Sequence, residues 1–283
     1  MTHLMDSFEH EGCLLGYEVH GQGSRTLVYM NALLFDAGIN RRMAEELARD
    51  GHRVVLLDLL GHGRSSKPRN QVRYRMDLYS RQVLALLDDL GLDDAVIGGP
   101  SLGANTSLFA AVQAPERVRA LSLEMPVLES AVPPTGGLLL GCLAALRGAH
   151  PVLRLTADTM RYAPRSGLGP LDSLLNAAST DPDVVEAMLR GLMAGPIAPT
   201  YDERRSIGVP ALVLANRHGL FHPFTDAESL AAQLPNAQLV HTRSPLELRM
   251  RPKRLAAIMG AFLDDAWSEG GVGSGRGREA ASS

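Results

Sequence analysis

The chain has 283 residues and a formal net charge of −3, with an isoelectric point near 6.3. That length suits one large α/β domain carrying an insertion. The slightly acidic balance, with Arg73, Arg75, Arg204, Arg205, Arg249 and Arg251 scattered rather than gathered on one face, excludes a basic footprint for nucleic acid.

In chain order, Met1–Asp6 lacks the basic and apolar parts of a secretion signal. Leu14–His20 reads as an edge strand ending at Gly21-Gln22-Gly23, and Arg25–Met30 as an apolar strand. Ile39–Arg49 carries helical spacing through Met43, Leu47 and Ala48. Arg53–Asp58 is a near-continuous apolar run, the pattern of a parallel strand buried on both faces. Leu78–Leu90 predicts an amphipathic helix. Ala95–Gly98 is a strand, Ala104–Ala111 a helix and Val118–Glu124 another strand. A Pro/Gly-broken apolar stretch follows, and alternation resumes with strand Ala211–Ala215, helix Thr225–Gln233, strand Ala237–Thr242 and helix Pro252–Leu263. The expected organisation is a core at 1–126 and 201–267, a helical lid at 127–200 and a disordered tail at 268–283.

Between the predicted strand at 95–98 and the helix at 104–111 stands Gly99-Pro100-Ser101-Leu102-Gly103, a Gly-x-Ser-x-Gly pattern. A strand, a sharp turn and a helix around such a serine make a nucleophile elbow, which holds the hydroxyl at the sheet edge beside the N–H of Leu102. The glycines are needed because side chains there would strike the flanking strand and helix. With Met30-Asn31-Ala32-Leu33, Asp58-Leu59-Leu60-Gly61-His62-Gly63-Arg64-Ser65-Ser66 and Ala114-Pro115-Glu116-Arg117-Val118, this motif resembles the α/β-hydrolase superfamily over residues 14–266. Leu123–Leu128, His222-Pro223-Phe224 and Leu246–Arg249 look like a bacterial branch of it. The resemblance implies a mostly parallel sheet flanked by helices, an inserted helical lid, and Ser101 as nucleophile. It also implies an oxyanion hole from the N–H groups of Leu33 and Leu102.

Two departures from the family pattern matter. The family's acid stands four residues before a proline, and counting back from Pro223 lands on Gly219. The family's histidine follows the last strand, where this chain has Pro245 or Glu247 and no histidine after His241. A serine hydroxyl needs an adjacent base. His222 is the first candidate, because it lies on the loop that usually carries the acid and is stiffened by Pro223. His218 is the second. His241 reads as strand packing, His62 as shaping its glycine turn, and His150 belongs to the lid. Glu124, at the end of the strand before the lid, is a candidate acid that would orient a histidine offered by the His222 loop. Glu247 neighbours the vacated histidine place, with pairing to Arg249 or Arg251 as the plainer reading. Asp36 reads as an acceptor for helix-terminal N–H groups.

Gly137–Leu146 is too short to span a bilayer, and with Met160, Leu189, Leu192 and Met193 it is expected to cover the site with adaptable aliphatic surface. Cys13 and Cys142 have no metal-ligand spacing and read as reduced thiols. No metal or cofactor is expected, and no nucleic-acid or membrane partner. The reading is a soluble cytoplasmic protein whose partner is a small molecule. Two functions are open: a serine hydrolase of a small, rather apolar ester, lactone or thioester with a rearranged triad, or a hydrolase-fold protein that binds or converts an apolar molecule without hydrolysis.

Overall fold

The computed structural model describes residues 4–167, 169–217 and 222–268. Eight strands form one sheet: β1 (Leu4–His10), β2 (Cys13–His20), β3 (Thr26–Met30), β4 (Arg53–Leu57), β5 (Ala95–Pro100), β6 (Val118–Glu124), β7 (Ala211–Ala215) and β8 (Ala237–His241). Their order is β1-β2-β4-β3-β5-β6-β7-β8. The pairs β1–β2 and β2–β4 are antiparallel, and every other pair is parallel. Leu14–His20 is therefore not an edge strand. β1 covers it, and β1 escapes the sequence pattern because only Phe8 of its seven residues is buried.

The central strands are apolar along their whole length because helices cover both faces. On one face α2 (Met76–Asp89) and α3 (Leu102–Gln113) pack Tyr79, Val83, Leu86 and Leu108 against Val28, Val55 and Ile97. On the other, α1 (Arg41–Arg49) and α11 (Lys253–Trp267) bring Met43, Leu47, Leu255 and Met259 to Leu27, Leu56 and Leu212. Each fully buried aliphatic side chain contributes about 2 kcal/mol relative to exposure.

Between β6 and β7 the chain makes a helical excursion: α4 (Val132–Gly148), α5 (His150–Arg161), α6 (Gly169–Ala178), α7 (Pro182–Ala194) and α8 (Tyr201–Ser206). α7 crosses the turn Gln71–Tyr74 so closely that a Cβ on Gly191 would lie 2.2 Å from the Gln71 carbonyl oxygen. α6 is held by Asn176, whose Nδ2 donates to Asp36 at 2.6 Å. The Asp36 carboxylate thus accepts from across the fold and caps no helix-terminal N–H, contrary to the sequence reading. Nor does α4 sequester its apolar residues: Leu146 is its only buried side chain, and Leu138, Leu140 and, on α7, Met193 are exposed. Among the described residues no single helix is long and apolar enough to cross a membrane. Only α4 and α5 taken together reach that length, and they are bent by 91°. The remaining helices are α9 (Phe224–Gln233) and α10 (Glu247–Met250). The expected tail lies outside the described residues, save Ser268.

Candidate active site

Ser101 sits between β5 and α3 with φ +50° and ψ −103°, a conformation that costs a non-glycine residue about 1–3 kcal/mol. Its surroundings hold it there. The Ser101 N–H donates to the Glu124 carbonyl at 2.8 Å, and its own carbonyl accepts the Asn105 N–H at 3.0 Å to open α3. A Cβ on Gly99 would lie 2.8 Å from the Gly103 Cα, and one on Gly103 would lie 3.2 Å from the Asn31 oxygen. The two glycines therefore let the start of α3 close on β5 and on the loop that leaves β3.

That loop carries Leu33. Asn31 fastens it, accepting the Leu59 N–H at 2.9 Å and donating to the Ala32 carbonyl at 2.9 Å. Among the described residues neither the Leu33 N–H nor the Leu102 N–H is taken by an acceptor. Leu102 is the first residue of α3, where an N–H has no partner within the helix and favours negative charge.

His222, on the loop between β7 and α9, places its Nε2 2.9 Å from the Ser101 Oγ. Burial lowers the imidazole pKa below its usual 6.5, and the Glu124 and Asp226 carboxylates pull the other way. The neutral ring is thereby favoured at pH 7, and for Nε2 to accept the serine proton the ring hydrogen must sit on Nδ1.

Glu124 ends β6, in register with Pro100 of β5. Its buried carboxylate accepts the Tyr29 hydroxyl at 2.9 Å and ion-pairs with the guanidinium of Arg249, which is also buried. Burial and the Glu124 charge raise the Tyr29 pKa well above 10, so the phenol remains a donor. Among the described residues no carboxylate hydrogen-bonds His222. Asp226 sits in the first turn of α9 and accepts three backbone N–H groups, from Leu128 at 2.7 Å, Ser130 at 3.0 Å and Ala131 at 3.0 Å.

The other sequence candidates fall elsewhere. Glu247 is buried, and its partner is Arg254 at 2.8 Å, not Arg249 or Arg251. The reason is that Glu247 opens the short helix α10, which turns Arg249 inward to Glu124. His62 donates through Nδ1 to the Leu60 carbonyl at 3.0 Å and shapes its turn. His150 joins Asp183 at 2.8 Å, tying α5 to α7. His241 stacks on Phe224 with centroids 4.7 Å apart. His218 and Gly219 lie outside the described residues. Among those described, no three His, Cys, Asp or Glu side chains converge as metal ligands would.

Sequence reasoning missed Tyr29, Asn105, Asp226 and the role of Arg249. Tyr29 and Asn105 were legible as polar groups inside apolar elements. Asp226 was legible only as an acid in the first turn after His222-Pro223. Nothing local marked Arg249 as buried.

The family model for the alpha/beta hydrolase fold matches residues 25–244. The chain belongs to that family. Over 216 residues it is 30% identical to a 2-hydroxy-6-oxononadienedioate/2-hydroxy-6-oxononatrienedioate hydrolase of Burkholderia vietnamiensis, covering 70% of this chain and 71% of the relative. Over 119 residues it is 34% identical to the 3-oxoadipate enol-lactonase 2 of Acinetobacter baylyi, covering 41% of this chain but only 42% of that enzyme. The crystal structure of the enol-lactonase from Burkholderia xenovorans LB400 superposes with a TM-score of 0.73 at 22% identity, over 92% of this chain and all of that one. At that identity the likeness concerns the fold alone.

Proposed function

We propose that this α/β-hydrolase is a serine hydrolase of a small, rather apolar ester or lactone, working through a Ser101–His222 dyad. The observation that carries the proposal is the 2.9 Å approach of His222 Nε2 to the Ser101 hydroxyl. In the first step Nε2 takes the hydroxyl proton while Oγ attacks the carbonyl carbon. The Leu33 and Leu102 N–H groups receive the developing oxyanion. The imidazolium then returns its proton to the leaving alkoxide, and a water, deprotonated by the same nitrogen, releases the acyl group. The charges of Glu124 and Asp226, both of which raise the His222 pKa, favour the imidazolium as it forms. Lactone chemistry draws support from the relative named as an enol-lactonase. In this reading the α4–α7 excursion is the lid.

A second reading, a pocket that binds without hydrolysing, has one observation in its favour. The carboxylates near His222 are engaged by other donors and leave the imidazole without an acidic partner among the described residues. The test is turnover of short-chain p-nitrophenyl esters, together with fluorophosphonate labelling, for the native chain, Ser101→Ala and His222→Ala. The dyad predicts labelling of Ser101 and a loss of about 10³–10⁴-fold or more in kcat for each variant, with the fold retained. Native turnover in Ser101→Ala, or a native chain that never labels, leaves the binding reading.

A further inference from the structure

Asp226 joins two parts of the molecule that the sequence separates. It stands four residues after His222 and is buried at 1% exposure. All three of the N–H groups it accepts, those of Leu128, Ser130 and Ala131, belong to the segment leading from β6 into α4. Its own N–H donates to the Pro223 carbonyl at 3.1 Å, so the carboxylate and the His222 backbone belong to one tight turn. A second clamp lies on the other side of the nucleophile. Asn105, buried one helical turn after Ser101, donates through Nδ2 to the Val127 carbonyl at 2.6 Å and to the Ile197 carbonyl at 2.7 Å, and accepts the Val127 N–H at 3.1 Å. Val127 and Ile197 lie just before and just after the α4–α7 excursion. The base loop and the nucleophile helix are thus each tied, by one buried polar side chain, to the roots of the same helical excursion.

We infer that Asp226 is a positioning residue: it locks the His222 loop to the root of the lid, so the imidazole reaches Ser101 only when that root is docked. This rests on the Ser101–His222 reading above. The physical ground is that the N–H of Leu128, a fully buried residue, needs an acceptor, and the Asp226 carboxylate has oxygens enough for it and for the N–H groups of Ser130 and Ala131. A rearranged lid root would strand the Leu128 donor unless the turn carrying His222 moved with it. A displacement of the base by about 1 Å is enough to cost on the order of 100-fold in rate.

The test uses the full chain with Asp226→Asn, which keeps the shape but sets an amide donor against backbone N–H donors. The expected result is a kcat lowered by about 10–100-fold with KM little changed. The acid limb of the pH–rate profile also moves to lower pH, because a charge that raises the His222 pKa is gone. In the native chain, phosphonylation of Ser101 should change the amide hydrogen exchange of Leu128, Ser130 and Ala131, since a group on Oγ displaces the imidazole from its hydrogen bond. This arm needs no variant to fold. Native kcat and an unmoved acid limb in Asp226→Asn, or unchanged exchange at those amides on phosphonylation, overturns the inference. If His222→Ala turns over at the native rate, the dyad itself has failed; if His222→Ala is inactive while Asp226→Asn is native, only the coupling has failed.

Discussion

The Arg249–Glu124 pair allows a quantitative test of what fills the vacated histidine place. Both side chains are almost wholly buried, at 4% and 2% exposure, and Tyr29 is the only further donor to the Glu124 carboxylate among the described residues. Arg249→Met removes the counter-charge and leaves a carboxylate in the interior with one neutral donor. Breaking a buried pair from one side costs about 3–5 kcal/mol, because an uncompensated charge remains. Against a total stability of about 5–15 kcal/mol, that is enough to move a urea unfolding midpoint by more than 1 M at the usual slopes. Adding Glu124→Gln removes the stranded charge and leaves the Gln oxygen to accept from Tyr29, so the double variant should recover most of the loss. The assay is urea unfolding followed by far-UV circular dichroism, with the slope compared across the three proteins. The reasoning is refuted if Arg249→Met lies within about 1 kcal/mol of the native chain, or if the double variant is less stable than the single one.

Because burial lowers the His222 pKa below 6.5 and only the neutral ring accepts the serine proton, kcat/KM for an ester should rise with pH through an inflection below 6.5 and then stay level; an inflection above 7 contradicts the dyad. His62, buried and lowered from 6.5 to about 4, supplies stability present above 6.5 and lost as pH falls through about 4, whereas Asp58, raised from 3.8 to about 6, supplies stability present below 3.8 and lost as pH rises through about 6. The two contributions are each about 3 kcal/mol and of opposite sign, so thermal melts should show His62→Asn gaining on the native chain as pH falls from 6.5 to 4, and parallel pH curves would contradict the assignment. Gly103→Ala sets a Cβ 3.1 Å from the Met30 Cβ and 3.2 Å from the Asn31 oxygen. It should destabilise by about 1–3 kcal/mol and lower kcat more than it raises KM, since the displaced loop carries the Leu33 donor; unchanged ester kinetics would separate that loop from the oxyanion.

How much of this was legible in the sequence follows from how local each signal is. Val118–Glu124 and Ala211–Ala215 have the bounds that their apolar runs predict, because a strand buried on both faces leaves no ambiguity of period. β1 is exposed along most of its length and exists by pairing with β2, so its signal lies in its partner. The elbow was readable because sterics force glycine at Gly99 and Gly103 whatever else the fold does. The reach of His222 to Ser101 spans 121 positions, and only loop placement made it a candidate. The excursion helices were expected to turn their aliphatic residues inward. The helical pattern of α4 says which residues share a face but not which way that face points, and most of it is exposed.

The meeting of Ser101 and His222 follows from the sheet. β5, β6 and β7 are adjacent and parallel, so the loops leaving them, with Ser101, Glu124 and His222, all emerge at one edge. Ligands of open α/β sheets gather at that carboxyl edge because every parallel strand delivers its following loop there. A base can therefore come from the β7 loop as readily as from the β8 loop, provided the place it leaves is filled without stranding a charge. α10 fills it: Glu247 pairs with Arg254, and Arg249 turns in to Glu124, which Tyr29 holds from β3. The Glu124 carboxylate is thereby clamped by a cation and a phenol. It acts on His222 through its charge rather than through a hydrogen bond. The consequence is directional: neutralising Glu124 lowers the pKa of His222, whereas removing a triad acid that held the ring by a hydrogen bond would also free its tautomer.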